Sequence, residues 1–181
     1  MLRITIPASE LWDEEKEEFI TVVKEQTLQL EHSLVSLSKW ESNWHKPFLT
    51  KEDKTYEETV DYIRCMTITQ NVNPEVYNRL TNSNITAINK YIEDSMTATV
   101  FRNDNQRGGS REQVTSELIY YWMITLNIPM ECQKWHLNRL LTLIRVCNIK
   151  NAPPKKRSKS ETINEWAALN EARKQKMNST G

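Results

Sequence analysis

Leu2, Ile4 and Ile6 alternate with Arg3 and Thr5 and stop at Pro7, the period-two, β-branched pattern of a short strand. Ser9 stands where it can cap a short acidic helix, with Trp12 and Phe19 as its apolar positions and carboxylates in the first turn, where the helix dipole favours them. From Ile20 to Leu30, β-branched residues and the alternation Thr27-Leu28-Gln29-Leu30 predict one or two further strands, and so a small N-terminal sheet.

From Ser33 the apolar spacing changes to three and four. Leu34, Leu37, Trp40 and Trp44 share one face of a helix that Pro47 ends. Thr55 and Glu58 have capping-box spacing and open a second helix, with Val60, Ile63 and Met66 inward. Asn73-Pro74 predicts a cap and first position for a short helix carrying Val76, Tyr77 and Leu80. Asn84 is placed to cap another, with Ile85, Ile88 and Ile92 inward. Residues 95–110 hold Gly108-Gly109 among Asn103, Asp104, Asn105 and Gln106 and read as an exposed loop. Ser110 and Gln113 repeat the capping-box pattern before a helix that is apolar almost all round, from Val114 to Leu126. Asn127-Ile128-Pro129 breaks it, and Cys132 to Cys147 reads as a second such helix. Helices apolar on several sides are either central to a core or part of an interface. The short break makes this pair an αα-hairpin, predicted as the centre of the fold.

Pro153-Pro154 and the bases that follow mark a linker. A last helix runs from Ser160 to about Lys176, with Ile163, Trp166 and Leu169 as its only apolar stripe. So polar a helix is marginal alone and is expected to dock on something. The predicted class is mainly α, of α+β type: a helical bundle around a central apolar αα-hairpin, with a small N-terminal β-sheet and a C-terminal tail helix. The predicted organisation is a mostly helical domain over 1–150, then a basic linker and marginal helix over 151–181.

Composition narrows the function classes. The 181 residues suffice for one domain and an appendage. Lys plus Arg and Asp plus Glu both number 24, which argues against a body that coats nucleic acid. Residues 1–31 nevertheless hold three bases against eight acids, a net of −5, and residues 151–181 hold seven bases against three acids, a net of +4. Two solvated ends, or attraction between them within or between copies, both fit this asymmetry. Only three glycines occur, which disfavours both large β-sandwiches and phosphate-cradling loops. Six tryptophans point to a well-filled core or to a surface that contacts other proteins. Three cysteines without tight spacing do not form a disulfide framework and suit a reducing compartment. With no leader pattern and no apolar run of ~18 residues, the expected location is the cytoplasm and no membrane contact is expected.

Chemical motifs are sparse. Cys132 and His136 are four apart, on one side of a continuous helix, but zinc needs three or four ligands, and His32 and His45 lie in unrelated segments. Cys65, Cys132 and Cys147 occupy apolar helical positions with no base in view. Glu57-Glu58 is explained by its first-turn position. No catalytic residue, cofactor or metal is therefore expected. Lys155, Lys156, Arg157 and Lys159 could contact phosphates, but no aromatic that could stack a base follows before Trp166; a solvated linker or a protein contact fits the run better. The most distinctive stretch, Trp40 to Leu49, sets Trp40, Trp44, Phe48 and Leu49 in an aromatic ridge. As core it packs under the hairpin; as surface it anchors a protein partner together with Trp166. Trp40 fits the core reading, whereas Trp44 and Phe48 fit either.

The stretches Leu30–Glu41, Lys46-Pro47-Phe48-Leu49, Asp61–Thr67, Met96-Thr97-Ala98-Thr99 and Trp135–Ile144 resemble small tail-module proteins of long-tailed bacteriophages, over roughly residues 2–175. Such proteins are similar to the tail assembly chaperones. That resemblance implies a helical protein without cofactor, acting in the host cytoplasm. It would bind the tape-measure protein, help recruit tail-tube subunits, and leave before the virion matures. It carries no residue-level motif. A structural head–tail connector or tail-completion subunit, and a nucleic-acid-binding regulator using the basic linker, are the alternatives.

Overall fold

The structure, a computed structural model, describes residues 1–13, 18–50, 52–101, 113–153 and 159–177. The chain divides into two units, Met1–Asn148 and Ile149–Gly181. The described residues are mainly helical, with short antiparallel strands at the N-terminus, the α+β class that the residue pattern predicts.

Strand β1 (Leu2–Ile6) pairs antiparallel with β4 (Gln26–Leu30), placing Leu2 opposite Leu30 and Ile4 opposite Leu28. Period-two alternation turns Ile4, Ile6, Leu28 and Leu30 to the core, where all four are buried. The other edge of β4 is taken by the chain beyond residue 66: Ile68 N–H donates to Gln29 C=O at 2.8 Å, and Gln29 N–H to Thr69 Oγ1 at 2.8 Å. Between β1 and β4 the chain makes β2 (Ser9–Asp13) and β3 (Glu18–Val23), also antiparallel, with a register irregularity at Ser9/Glu10. The acidic helix expected over this segment is therefore a pair of strands. Ser9 opposite Val23 keeps the pairing of β1 with β4, the pairs from Glu10 on are shifted by one residue, and the β-branched run Ile20-Thr21-Val22-Val23 favours a strand over the few weak turns a short acidic helix could form.

Helix α1 (Leu34–Trp44) opens on a capping box between Ser33 and Ser36, and ends at His45 in the left-handed region, φ 53°. It stops two residues short of Pro47, because the residue before a proline is pushed out of helical backbone. Helix α2 (Tyr56–Met66) opens on the Thr55–Glu58 capping box and buries Val60, Ile63 and Met66, as the spacing predicts. Asn73 caps a 3-10 turn, Pro74–Arg79, that buries Val76 and Tyr77. Helix α3 (Asn82–Glu93) is capped by Thr81 rather than Asn84; Asn84 supplies the reciprocal half of that capping box. Its fully buried positions are Ile88 and Tyr91, with Ile85 and Ile92 half-buried. Helix α3 packs on β1, where Asn84 Nδ2 donates to Thr5 C=O.

Helix α4 (Ser116–Thr125) begins later than the Ser110 pattern predicts. Residues 113–115 are not helical and Thr115 is the cap, while Ser110 lies outside the described residues. Asn127, at φ 53°, turns the chain out of it. The second apolar helix is split: Met130–Lys134 is a 3-10 turn, Trp135 and His136 are extended, and helix α5 runs Leu137–Asn151. The split lets His136 bridge to Ser33 and Leu137 N–H donate to His32 C=O at 2.8 Å. Both helices feed the core, through Ile119 and Met123 of α4 and Leu137, Leu140 and Ile144 of α5. The middle of that core is nevertheless held by α1, which lies against α2, α4 and the Met130–Lys134 turn. Leu34 and Leu37 have no exposed surface, and Trp40 has 1%. Helix α4 keeps part of its apolar surface uncovered, Tyr121 and Ile124 being exposed.

The second unit holds α6 (Lys159–Met177), with Ala167, Ala168 and Ala172 favouring helix and bases in its last turn complementing the helix dipole.

Candidate functional site

The aromatic ridge divides between interior and surface. Trp40 is buried, donates Nε1–H to the Glu58 carbonyl at 2.8 Å, and meets Phe48 edge-on at 5.1 Å between ring centroids. Phe48 is also buried and stacks on Tyr62 at 3.9 Å. Trp44 is half-buried; it stacks on Trp40 and donates Nε1–H to Asp61 at 2.9 Å. Lys54 lies over the Phe48 ring, 4.3 Å from its centroid, and burial pushes its ammonium below the usual lysine range. Leu49 remains exposed. Trp40 and Phe48 therefore act here as core, and the surface anchor expected from this segment reduces to Leu49 and the edge of Trp44.

The apolar surface lies instead on α4. Ile119 and Met123 turn inward with Ser116. A quarter-turn and more away, Glu117, Tyr121, Ile124 and Thr125 are exposed, Tyr121 at 61% and Ile124 at 66%. Leu118, Tyr120 and Trp122 are half-buried on its flanks, where Tyr120 donates to Gln133 at 2.9 Å. Tyr121 and Ile124 thus put two large apolar groups on the solvent side of the helix, between Glu117 and Thr125, as an interface helix does. Glu41 of α1 fixes where that face points. Its buried carboxylate accepts Ser116 N–H at 2.7 Å, the first free donor of α4, and Phe48 N–H at 2.8 Å.

A buried polar cluster lies beside Phe48, whose ring centroid is 6.5 Å from that of His32. The His32 and His136 rings meet edge-on at 5.1 Å. His32 Nδ1 shares a 2.5 Å hydrogen bond with the Tyr62 hydroxyl, and His136 Nε2 donates to the Tyr91 carbonyl at 2.9 Å. Burial first, and His136 second, push His32 down to about 3, so it is neutral at pH 7. Burial likewise raises the Tyr62 hydroxyl. The pair stitches β4, α2, α3 and α5 together; sequence spacing placed His32 and His136 in unrelated segments, and no local signal could have joined them. Cys132 and His136, expected on one helix, lie in the Met130–Lys134 turn and in the extended break after it.

Among the described residues no three His, Cys, Asp or Glu side chains gather closely enough to hold a metal ion. Cys65 opens onto a cleft of about 410 Å³ between α1 and α2, beside Ser36, Lys39 and Lys134. Burial pushes its thiol up to about 11, which leaves it protonated and a poor nucleophile at neutral pH. Among the described residues no helix is long and apolar enough to cross a membrane.

On α6, Ile163, Trp166 and Leu169 are all exposed, Trp166 at 62%. Lys155, Lys156 and Arg157 lie outside the described residues, and Lys159 opens α6. Comparison with protein-family models, curated proteins and solved structures finds no match to this chain.

Proposed function

We propose that this protein is a binding protein without catalytic activity, which covers an apolar helix of a partner with the outer face of α4. The observation that carries this reading is the mismatch between the composition of α4 and its burial. The helix is apolar nearly all round, yet only one side of it meets the core, leaving Tyr121 and Ile124 in solvent. Exposed aromatic and aliphatic groups on a helix fixed at its N-terminus make a preorganised groove edge for a second helix. The resemblance of Leu30–Glu41 and Trp135–Ile144 to phage tail-module proteins supplies the partner: the tape-measure protein, whose long apolar helix needs cover until tail-tube subunits enclose it. On this reading the chain is a tail assembly chaperone.

Co-expression with the tape-measure protein tests it. The expected outcome is soluble tape measure co-purifying with the wild-type chain, and its loss with Tyr121→Glu/Ile124→Glu. Soluble tape measure recovered equally with and without the chain would overturn the assignment. Recovery unaffected by the double variant would overturn the role of α4.

A further inference from the structure

Helix α6 carries two patterns that a lone solvated helix does not need. The first is the exposed stripe Ile163, Trp166 and Leu169, 66%, 62% and 52% accessible, on a helix of otherwise polar and small residues. The second is charge ordered along the axis. After Lys159, residues 160–168 hold Glu161 and Glu165 and no base, whereas residues 169–177 hold Arg173, Lys174 and Lys176 against Glu171. One half is net −2 and the other net +2. A parallel copy would set like charges side by side. An antiparallel copy sets each acidic half against a basic half, and also opposes the two helix dipoles favourably.

We propose that α6 is a self-association helix, which pairs antiparallel with α6 of a second copy of this chain. The register follows from the stripe. Placing Trp166 level with Leu169 of the second copy lays the two Ile163-Trp166-Leu169 stripes face to face, since these three positions lie within about 120° of one another around the helix. It also puts position 161 level with Lys174. The two-fold axis makes every such pair occur twice, as an isologous interface requires. Nineteen residues give a contact of about 28 Å along the helix, enough for two layers of large side chains. The indole of Trp166, the largest apolar group of α6, is then covered by leucine. Pairing also adds apolar cover to a helix too polar to be stable by itself.

The full-length chain tests this by analytical ultracentrifugation across a wide concentration series. The expected result is a monomer–dimer equilibrium weakened about tenfold or more by Leu169→Glu, a loss equivalent to burying one leucine side chain. Added salt weakens the wild-type pair, because opposite charges attract in it; a pair that salt strengthens overturns the antiparallel arrangement. A charge-swap experiment is independent of packing. Glu161→Lys/Glu165→Lys and Arg173→Glu/Lys174→Glu/Lys176→Glu are each expected to be monomeric alone and to form a mixed dimer when combined. A chain monomeric at every concentration, or a dimer indifferent to Leu169→Glu, overturns the proposal. A dimer broken equally by Leu169→Glu and by Tyr121→Glu also overturns it, since the stripe then sits on α4 of the second copy.

Discussion

Glu41 reaches across from α1 to cap α4, one carboxylate oxygen lying 2.7 Å from the backbone nitrogen of Ser116. Both of its oxygens are spent on backbone donors, one on Phe48 N–H and the other on Ser116 N–H. Glu41→Gln turns one acceptor into a donor that faces an N–H group. The expected cost is about 1–3 kcal/mol of stability, read as a lower urea midpoint at unchanged slope. The same variant should weaken partner binding through α4, since the angle of that helix is set here.

Trp40 and Trp166 separate packing from surface. Trp40→Ala empties a fully buried site and removes the bond to the Glu58 carbonyl, for an expected loss of about 3–5 kcal/mol. Trp166→Ala should change the stability of the first unit by no more than about 0.5 kcal/mol. Chemical denaturation followed by far-ultraviolet circular dichroism checks both, and equal losses would contradict the burial assigned to Trp40.

His32 makes stability depend on acid. Its folded value near 3 lies below the unfolded value of about 6.5, so the unfolded chain binds the extra proton between those limits. The stabilisation is complete above about pH 6.5 and falls as pH drops toward 3, with a limiting slope of about 1.4 kcal/mol per pH unit from this group. Melting temperatures measured from neutral to mildly acidic pH should decline accordingly. His32→Gln, which can still bond the Tyr62 hydroxyl, should flatten that part of the curve.

Cys65 should react slowly with iodoacetamide at neutral pH and faster as pH is raised toward 11. Peptide mapping by mass spectrometry resolves it from Cys132 and Cys147. Labelling of Cys65 as fast as a free thiol at pH 7 would contradict its burial.

Local signals carried the helical half of this fold. The Thr55–Glu58 box, the Asn73-Pro74 cap and the Leu34-Leu37-Trp40 spacing each name an element whose cause lies within four residues. Errors arose where a distant contact decides. Ser9 with Trp12 and Phe19 reads as a short helix until the pairing of Ser9–Asp13 with Glu18–Val23 is considered, and the Cys132–Cys147 pattern looks continuous until His136 is drawn to His32. The candidate surface was half legible. Apolarity on every side of α4 marked it as core or interface, but only the position of α1 decides which, because a helix cannot report what covers it. Trp44 and Phe48 were ambiguous for the same reason, and Glu41 gave no sign that both its oxygens would cap other segments.

The bridge between Ser33 and His136 has a consequence for synthesis. The site of His32 is walled on one side by a residue about 100 positions later. At roughly 5–20 residues per second, a ribosome needs on the order of 5–20 s to supply that wall. Until then α1 lacks the cover that α4 and the Met130–Lys134 turn give it. The nascent chain, not only the finished protein, must therefore be kept from aggregating, and closure by His136 is the late step that ends its vulnerability.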